Sequence, residues 1–322
     1  MADQLQQIRD VVERHQRFLL VAHKDADADS LGSLLAFADH LRGLGKEVYP
    51  WVPEPLPRGL AYLPGYELVN RAPAPPDAVA VAFDAGSPGR FGNLRARIEA
   101  APLTVLFDHH ASNEGFGDVC LVDREAAATG VIVLRALRAW GAEIGKDAAT
   151  NLYAAIFTDT GGFRHDNTSA DVLQMGADLA RLGADPAWVA LRSYKWRPET
   201  TLRLHALASV AARYELEGRL VWTVVTQGML VESGALMEES EGIIDLLQSL
   251  DTMLCAVLFK QVGEEQTKVS VRTRGPIMAH QLLAPLGGGG HLRAAGAEVA
   301  APLAGVEETV LAEARRQIQA QA

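Results

Sequence analysis

Cysteine is nearly absent: the 322 residues hold only two, Cys120 and Cys255, far apart in the chain. A secreted disulfide scaffold needs more than that. Long apolar runs are also missing. No stretch of about 18 or more apolar residues occurs, so no transmembrane helix and no membrane partner are expected. The opening Met-Ala-Asp-Gln-Leu-Gln-Gln lacks a basic region followed by an apolar core. No signal peptide is therefore expected, and the chain reads as cytoplasmic. Positive charge is in deficit, with 30 Lys+Arg against 40 Asp+Glu and a formal charge of -10. Binding to long duplex DNA draws most of its affinity from Lys and Arg on phosphates, so that partner is not expected. A small anion held through metals stays compatible with an acidic chain. The 29 glycines and 15 prolines follow no period, which excludes collagen-like and Pro-rich low-complexity classes. No internal repeat of about 20–50 residues is visible.

What is present suits a globular protein with a sizeable core: 48% hydrophobic and 22% charged residues, close to globular averages. At about 100–200 residues per domain, the length suggests two domains. Leu5, Ile8, Val11 and Val12 recur at helical spacing. The runs Phe18–Ala22, Val48–Val52, Ala78–Phe83 and Thr104–Phe107 read as strands, with a helix over Leu31–Leu44. Strands buried on both faces show continuous apolar runs, and alternation with helices predicts an α/β domain with a mostly parallel sheet. Helical spacing follows over 131–140, 147–157, 170–182 and 186–194. Thr200–Tyr214 is expected to be a long bridging helix. Strands at 220–225, 253–262 and 268–273 and helices at 243–250, 277–286 and 306–320 then predict a smaller α/β domain. The expected division is 1–195, a helical linker over 196–216, and 217–322.

Chemistry concentrates at strand ends. His23-Lys-Asp-Ala-Asp27-Ala-Asp29 follows the first apolar run, Asp84 follows another, and Asp108-His109-His110 a third. Asp159 comes after an apolar helix. In open α/β sheets, ligands bind outside the carboxyl ends of strands. Asp27 and Asp29 taken alone read equally well as a helix N-cap. Three strands ending this way are hard to explain by packing. Packed carboxylates repel one another and raise each other's pKa, and divalent cations remove that cost. Asp27, Asp29, Asp84, Asp108 and Asp159 carry five formal negative charges, which two divalent ions nearly neutralise. Mixed oxygen and imidazole donors suit Mn²⁺ or Zn²⁺. Carboxylate richness without thiolate tilts this towards Mn²⁺, with Mg²⁺ or Co²⁺ as alternatives. Two such ions roughly 3.5–4 Å apart can activate water and clamp a phosphoryl group.

A second constellation lies towards the end of the chain. Gly287-Gly288-Gly289-Gly290-His291 offers unshielded backbone N–H groups that can form an anion-binding nest, or is simply a loop. Arg272 shares a strand face with Ser270 and can fork onto a phosphate, or face solvent at a sheet edge.

The ordered set His23-x-x-x-Asp27-x-Asp29, Asp84, Asp108-His109-His110, Asp159 and Gly287–His291 resembles the DHH phosphoesterase superfamily with its associated C-terminal domain. The likeness spans nearly the whole chain and is nearest to the short bacterial nanoRNase, or oligoribonuclease, members, many of them also pAp (3'-phosphoadenosine 5'-phosphate) phosphatases. The resemblance implies that His23, Asp27 and Asp84 hold one metal. Asp29, Asp84, His109 and Asp159 would hold the second, with Asp84 bridging and a water between the ions as nucleophile. It implies that Asp108 orients a histidine and His110 faces the substrate phosphate. Arg272, Gly288, Gly289, Gly290 and His291 would bind the far end of the substrate in an interdomain cleft, with Arg164 and Asn113, and more weakly Arg90 and Thr168, beside them. It also implies a homodimer. Many relatives carry Pro and Gly where this chain has Ala26 and Ala28, so the first turn is expected to differ slightly; Asp25 reads as a turn residue.

The expected activity is exo-phosphodiesterase action on two- to five-nucleotide RNA, releasing nucleoside 5'-monophosphates, together with removal of the 3'-phosphate of pAp. The alternatives are a cyclic dinucleotide (c-di-AMP/pApA) phosphodiesterase and a RecJ-like single-strand exonuclease, although no room is visible for a RecJ-type capture domain. A silent nucleotide-binding regulator would be expected to lose ligands that this chain keeps.

Overall fold

The computed structural model describes residues 2–111, 113, 115–290 and 292–321. The chain forms two compact units, Met1–Trp196 and Arg197–Ala322. The first contains α1 (Ala2–Arg14), β1 (Arg17–Ala22), α2 (Ala28–Gly43), β2 (Glu47–Trp51), β3 (Val79–Phe83), α3 (Arg95–Glu99), β4 (Thr104–Asp108), β5 (Val119–Val122), α4 (Thr129–Ala139), α5 (Lys146–Asp159), α6 (Ala170–Arg181) and α7 (Pro186–Ala190). Its five strands form one sheet in the order β2-β1-β3-β4-β5, parallel throughout.

Alternation along the strands sorts the core. Phe18, Leu20, Val81, Phe83, Val105 and Phe107 belong to the same buried cluster as α1, α2, α4 and α5. Leu19, Val21, Ala80, Ala82 and Leu106 turn the other way, towards Phe91, Leu94 and Ile98. The sheet is thus covered on both faces, and its strands read as unbroken apolar runs for that reason. Phe83 and Phe107 stack at 5.5 Å, and Phe37 of α2 leans on both, at 5.6 and 5.3 Å. Helix α2 approaches α5 closely because Gly32 has no side chain: a Cβ there would lie 2.6 Å from the Asn151 carbonyl oxygen.

Topology places the site. Chain order runs outward in opposite directions from β1, which makes the β1/β3 junction the topological switch point where ligands bind in open α/β sheets. The register pairs Ala22 with Phe83 and Phe83 with Phe107. Residues 23, 84 and 108 therefore leave the sheet at the same level.

The second unit contains α8 (Glu199–Val210), β6 (Arg213–Glu215), β7 (Leu220–Val225), α9 (Gln227–Ser233), α10 (Ile243–Gln248), β8 (Cys255–Gly263), β9 (Gln266–Thr273), α11 (Ala279–Leu283), β10 (Gly289–Gly290), β11 (Ala294–Val299) and α12 (Leu303–Gln319). Its sheet has the order β10-β11-β9-β8-β7-β6, with β7 and β8 parallel and the other pairs antiparallel. One face packs on α11 and α12 through Val257, Phe259, Val271, Val310 and Leu311. The other packs on α8 and α10 through Val221, Leu258, Leu204 and Ile243.

Two expectations differ from the structure here. The linker over 196–216 does not stand apart as a helix. Helix α8 ends at Val210 and buries Leu204 and Ala208 against Val221 and Met253 of the second unit. Residues 213–215 are the edge strand β6, paired with β7. The glycine run is also not a free loop. Gly289 and Gly290 pair with Gly296 and Ala295 as β10. A Cβ on Gly288 would meet Leu283 and Ala297 at 2.7 and 2.8 Å, and one on Gly290 would meet the Ala294 oxygen at 2.5 Å. Close backbone approach accounts for those two glycines. Among the described residues, no helix is long and apolar enough to cross a membrane.

Candidate active site

The chain leaves β1 at His23, which is 4% exposed. Its Nδ1 donates to the Lys24 carbonyl at 2.7 Å, which leaves the Nε2 lone pair for another partner. Nε2 lies 3.5 Å from Asp84 Oδ2 and 3.8 Å from Asp27 Oδ1. The left-handed turn conformation falls on exposed Asp25, with φ of 57°, so Ala26 and Ala28 need no positive φ. Asp27 caps α2: its carboxylate accepts the Ser30 N–H at 2.9 Å, and the Ser30 hydroxyl accepts the Asp27 N–H at 3.1 Å. This reciprocal pair satisfies two orphan donors of the helix start. The capping role and a position facing His23 thus coexist in one side chain.

Asp29, in the first turn of α2 and 1% exposed, is gripped by the start of α4. Its Oδ2 accepts the Thr129 N–H at 2.7 Å and its Oδ1 the Gly130 N–H at 2.8 Å. The helix N-terminus favours a carboxylate there. Thr129 also donates its hydroxyl to Asp84 Oδ1 at 2.9 Å. The sequence reading missed Thr129 and Gly130. Their signal was an Ala-Thr-Gly at the head of an apolar helical run. Asp84 has a φ of 58°, and a non-glycine residue in that region is strained. The turn is fixed by the Asp84 N–H, which donates to the Phe107 carbonyl at 2.9 Å.

Asp108 ends β4 fully buried. Its Oδ1 accepts His110 Nδ1 at 2.7 Å, and its Oδ2 accepts Asn113 Nδ2 at 2.6 Å. His109 points elsewhere. Its Nδ1 donates to the Ala126 carbonyl at 3.1 Å, and its Nε2 lies 3.5 Å from Asp84 Oδ1, 3.6 Å from Asp159 Oδ2 and 3.8 Å from Asp29 Oδ2. Asp159 is the last residue of α5 itself, not two positions beyond a helix ending at 157 as the sequence predicts.

These nitrogen–oxygen separations are too long for hydrogen bonds. They suit donors sharing one ion at metal–ligand distances of about 2.0–2.2 Å. Three groups of donor atoms each lie within 4.8 Å of one another: His23, Asp27 and Asp84; Asp29, His109 and Asp159; and Asp84, His109 and His110 between them. Asp84 turns Oδ2 to the first and Oδ1 to the second. The electrostatics match a cation site. Burial, then the charges of Asp84, Asp159 and Asp27, push the Asp29 carboxyl well above the usual range. Burial pushes Asp159 up to about 7. Asp84 feels the same burial, yet the imidazoles of His23, His109 and His110 hold it below its ordinary value. Burial alone would lower His110. The bond to Asp108 and the charges of Asp84, Asp108 and Asp159 instead raise it to about 9. The donor set therefore fits two divalent ions.

The expected substrate contacts are less concentrated. Asn113 is buried. Its Nδ2 serves Asp108 and the Ala85 carbonyl, and its Oδ1 accepts the Gly115 N–H. Both ends of the amide are engaged within the chain, so Asn113 supports Asp108 instead of meeting a ligand. Arg164 is exposed after α5, donating Nε to the Gly161 carbonyl at 2.5 Å, with its guanidinium 5.6 Å from the Tyr194 ring centroid. Arg272 sits on β9 between Ala256 and Ala294, half-buried. Gly289 and Gly290 are exposed at the sheet edge, and Gly288 lies just before them. His291 lies outside the described residues.

Residues 17–156 match the DHH family, N-terminal domain, and residues 221–320 match the DHHA1 domain. The chain is 34% identical over 280 residues to the bifunctional oligoribonuclease and PAP phosphatase NrnA of Thermus thermophilus, covering 86% of this chain and 82% of that one. It is 23% identical to the protein of the same description from Bacillus subtilis, over 89% and 91% of the two chains. In fold it resembles an exopolyphosphatase-related protein from Bacteroides fragilis, with a TM-score of 0.89, 22% identity and coverage of 99% and 98%. Both halves of the chain are accounted for by these matches, and the aspartates and histidines that meet at the β1/β3 switch point all precede the second of them. The chain belongs to the DHH phosphoesterase family, carries the DHHA1 domain, and is a hydrolase of phosphoester bonds.

Proposed function

We propose that this chain is a two-metal-dependent exo-phosphodiesterase. It degrades RNA of two to five nucleotides to nucleoside 5'-monophosphates and removes the 3'-phosphate of pAp. The observation that carries the reading is the divided allegiance of Asp84, with Oδ2 3.5 Å from His23 Nε2 and Oδ1 3.5 Å from His109 Nε2. The activities named for the Thermus and Bacillus relatives support the substrate class.

In this reading His23, Asp27 and Asp84 hold one divalent ion, and Asp29, Asp84, His109 and Asp159 hold the other. Manganese is the best fit to a carboxylate-rich set with imidazole and no thiolate. When bound, the ions supply an activated water and positive charge at the phosphoryl group. The chain's own residues do the rest. Asp108 fixes the His110 ring through Nδ1, so that its other nitrogen is aimed by a buried anchor. Against the lowering effect of burial, the bond to Asp108 favours the protonated His110 ring. It can then donate to a phosphoryl oxygen or leaving group. Arg272 and residues 288–291 are assigned to the distal end of the substrate. An acidic chain suits this class, because a short substrate needs a pocket and not a long basic groove.

The test is a comparison of kcat/KM for an RNA dinucleotide, pAp, cyclic di-AMP and a longer RNA with Mn²⁺ present. The dinucleotide and pAp are expected to be cleaved fastest. Preference for the cyclic compound would move the enzyme to signalling-nucleotide turnover, and preference for the longer RNA to RecJ-like exonuclease action.

A further inference from the structure

We propose that Arg90 is a positioning residue for the first metal cluster, holding the His23 imidazole in place through the Lys24 peptide. The inference rests on the two-metal reading above and adds a residue to it. Arg90 lies in the short helical segment Pro88–Leu94 that follows Asp84, and it is half-buried. Residues 24 and 90 are tied in both directions. The Lys24 N–H donates to the Arg90 carbonyl at 2.7 Å. Arg90 Nη2 lies 3.4 Å from the Lys24 carbonyl and 3.1 Å from His23 Nδ1.

The Lys24 carbonyl is thus the shared point. It takes the His23 Nδ1–H at 2.7 Å and has a second lone pair facing Arg90. With Nδ1 donating to the carbonyl, the Arg90 contact at Nδ1 is one of proximity and charge, not a second hydrogen bond. Such outer contacts to a ligating imidazole set its tautomer and its aim. The anchor is needed here because the chain turns sharply just beyond it, at Asp25 with φ of 57°. Without a hold on Lys24, the peptide that orients His23 has a strained residue on one side and the end of β1 on the other. A single guanidinium nitrogen, Nη2, faces both the ring edge and the carbonyl.

The experiment is calorimetric titration of Mn²⁺ into metal-stripped full-length protein, wild type and Arg90→Met, with the melting temperature of the metal-free forms measured alongside. Wild type is expected to bind two ions. In Arg90→Met, one binding step is expected to weaken by about 10–100-fold, the other to keep its affinity, and the metal-free melting temperature to stay put. Arg90→Lys keeps the charge and is expected to lose less than Arg90→Met at the same step; it carries the test should Arg90→Met not fold. Two steps of wild-type affinity in the variants would overturn the inference alone. So would a parallel loss at both steps with a lowered melting temperature, which marks a general folding role. A rise in KM for the dinucleotide with unchanged Mn²⁺ binding would make Arg90 a substrate contact and also overturn it. A wild type that binds no ions would overturn the two-metal reading itself.

Discussion

Thr129 and Asp84 are joined by a 2.9 Å hydrogen bond from the threonine hydroxyl to Oδ1, although they lie 45 positions apart. The same threonine gives its N–H to Asp29. One residue at the head of α4 therefore steadies carboxylates on two other elements. Thr129→Val keeps the shape, removes the hydroxyl and leaves Asp84 buried with one donor fewer. Mn²⁺ affinity is expected to fall by about 10–100-fold, at a stability cost of about 1–3 kcal/mol. Thr129→Ser is expected to retain both. Equal metal binding by Thr129→Val and wild type, in the same titration, would refute this role.

Gly130 sits where no side chain fits. A Cβ there would come within 2.7 Å of the Ala155 Cβ and 3.4 Å of Asp29 Oδ1. The near atom belongs to a packed helix and cannot swing away. Gly130→Ala is expected to destabilise the protein by about 1–3 kcal/mol through overpacking. Denaturant unfolding at fixed metal concentration measures this, and an unchanged midpoint would count against the close packing of α4 on α5.

Much of this was legible in the sequence. Apolar runs ending in Asp or Asp-His-His marked β1, β3 and β4, because strands buried on both faces cannot carry polar residues until they leave the sheet. Those runs marked the segments after β1, β3 and β4 as candidates, while the set of six donors, with Asp159 at the end of a helix, was implied by the family resemblance. Less legible were the supports. Thr129 and Gly130 act through backbone N–H groups, which every residue carries, so their type gives little away. Asn113 looked like a ligand contact because it follows the histidines, and only its burial assigns its amide to Asp108 and Ala85. The edge strands β6 and β10 are too short for a period to show. The glycines of β10 read as a loop because glycine spaced for backbone contact looks the same as glycine spaced for flexibility.

The metal-depleted protein is expected to lose stability as pH rises. Asp159, raised to about 7, and Asp29, raised as well, keep protons in the folded state that the unfolded chain releases above about 4. His110, raised to about 9, and His23, also raised, do the same above about 6.5. The folded state then binds more protons than the unfolded one throughout this range, and stability has a negative slope with pH. Asp84 acts in the opposite sense, but only below about 4, because its value is lowered. The melting temperature of metal-stripped protein should be lower at about pH 8.5 than at about pH 5.5, and saturating Mn²⁺ should raise it most at the higher pH. A metal-free melting temperature that climbs over that interval would contradict the mutual repulsion of these carboxylates.

Asp108→Asn retains an oxygen for Asn113 or for His110 but not the charge that holds His110 protonated. A fall in kcat of about 10²–10⁴ is expected, within the span of general acid catalysis, with two Mn²⁺ still bound. Loss of metal stoichiometry in this variant would show that Asp108 serves the ions and not the histidine.

The most direct test of the account is anomalous scattering from crystals soaked in Mn²⁺. Two peaks are predicted, about 3.5–4 Å apart, one beside Asp84 Oδ2 with His23 and Asp27, the other beside Asp84 Oδ1 with Asp29, His109 and Asp159. A single peak at full occupancy, or two peaks neither of which touches Asp84, would contradict the claim that this carboxylate bridges a two-metal centre.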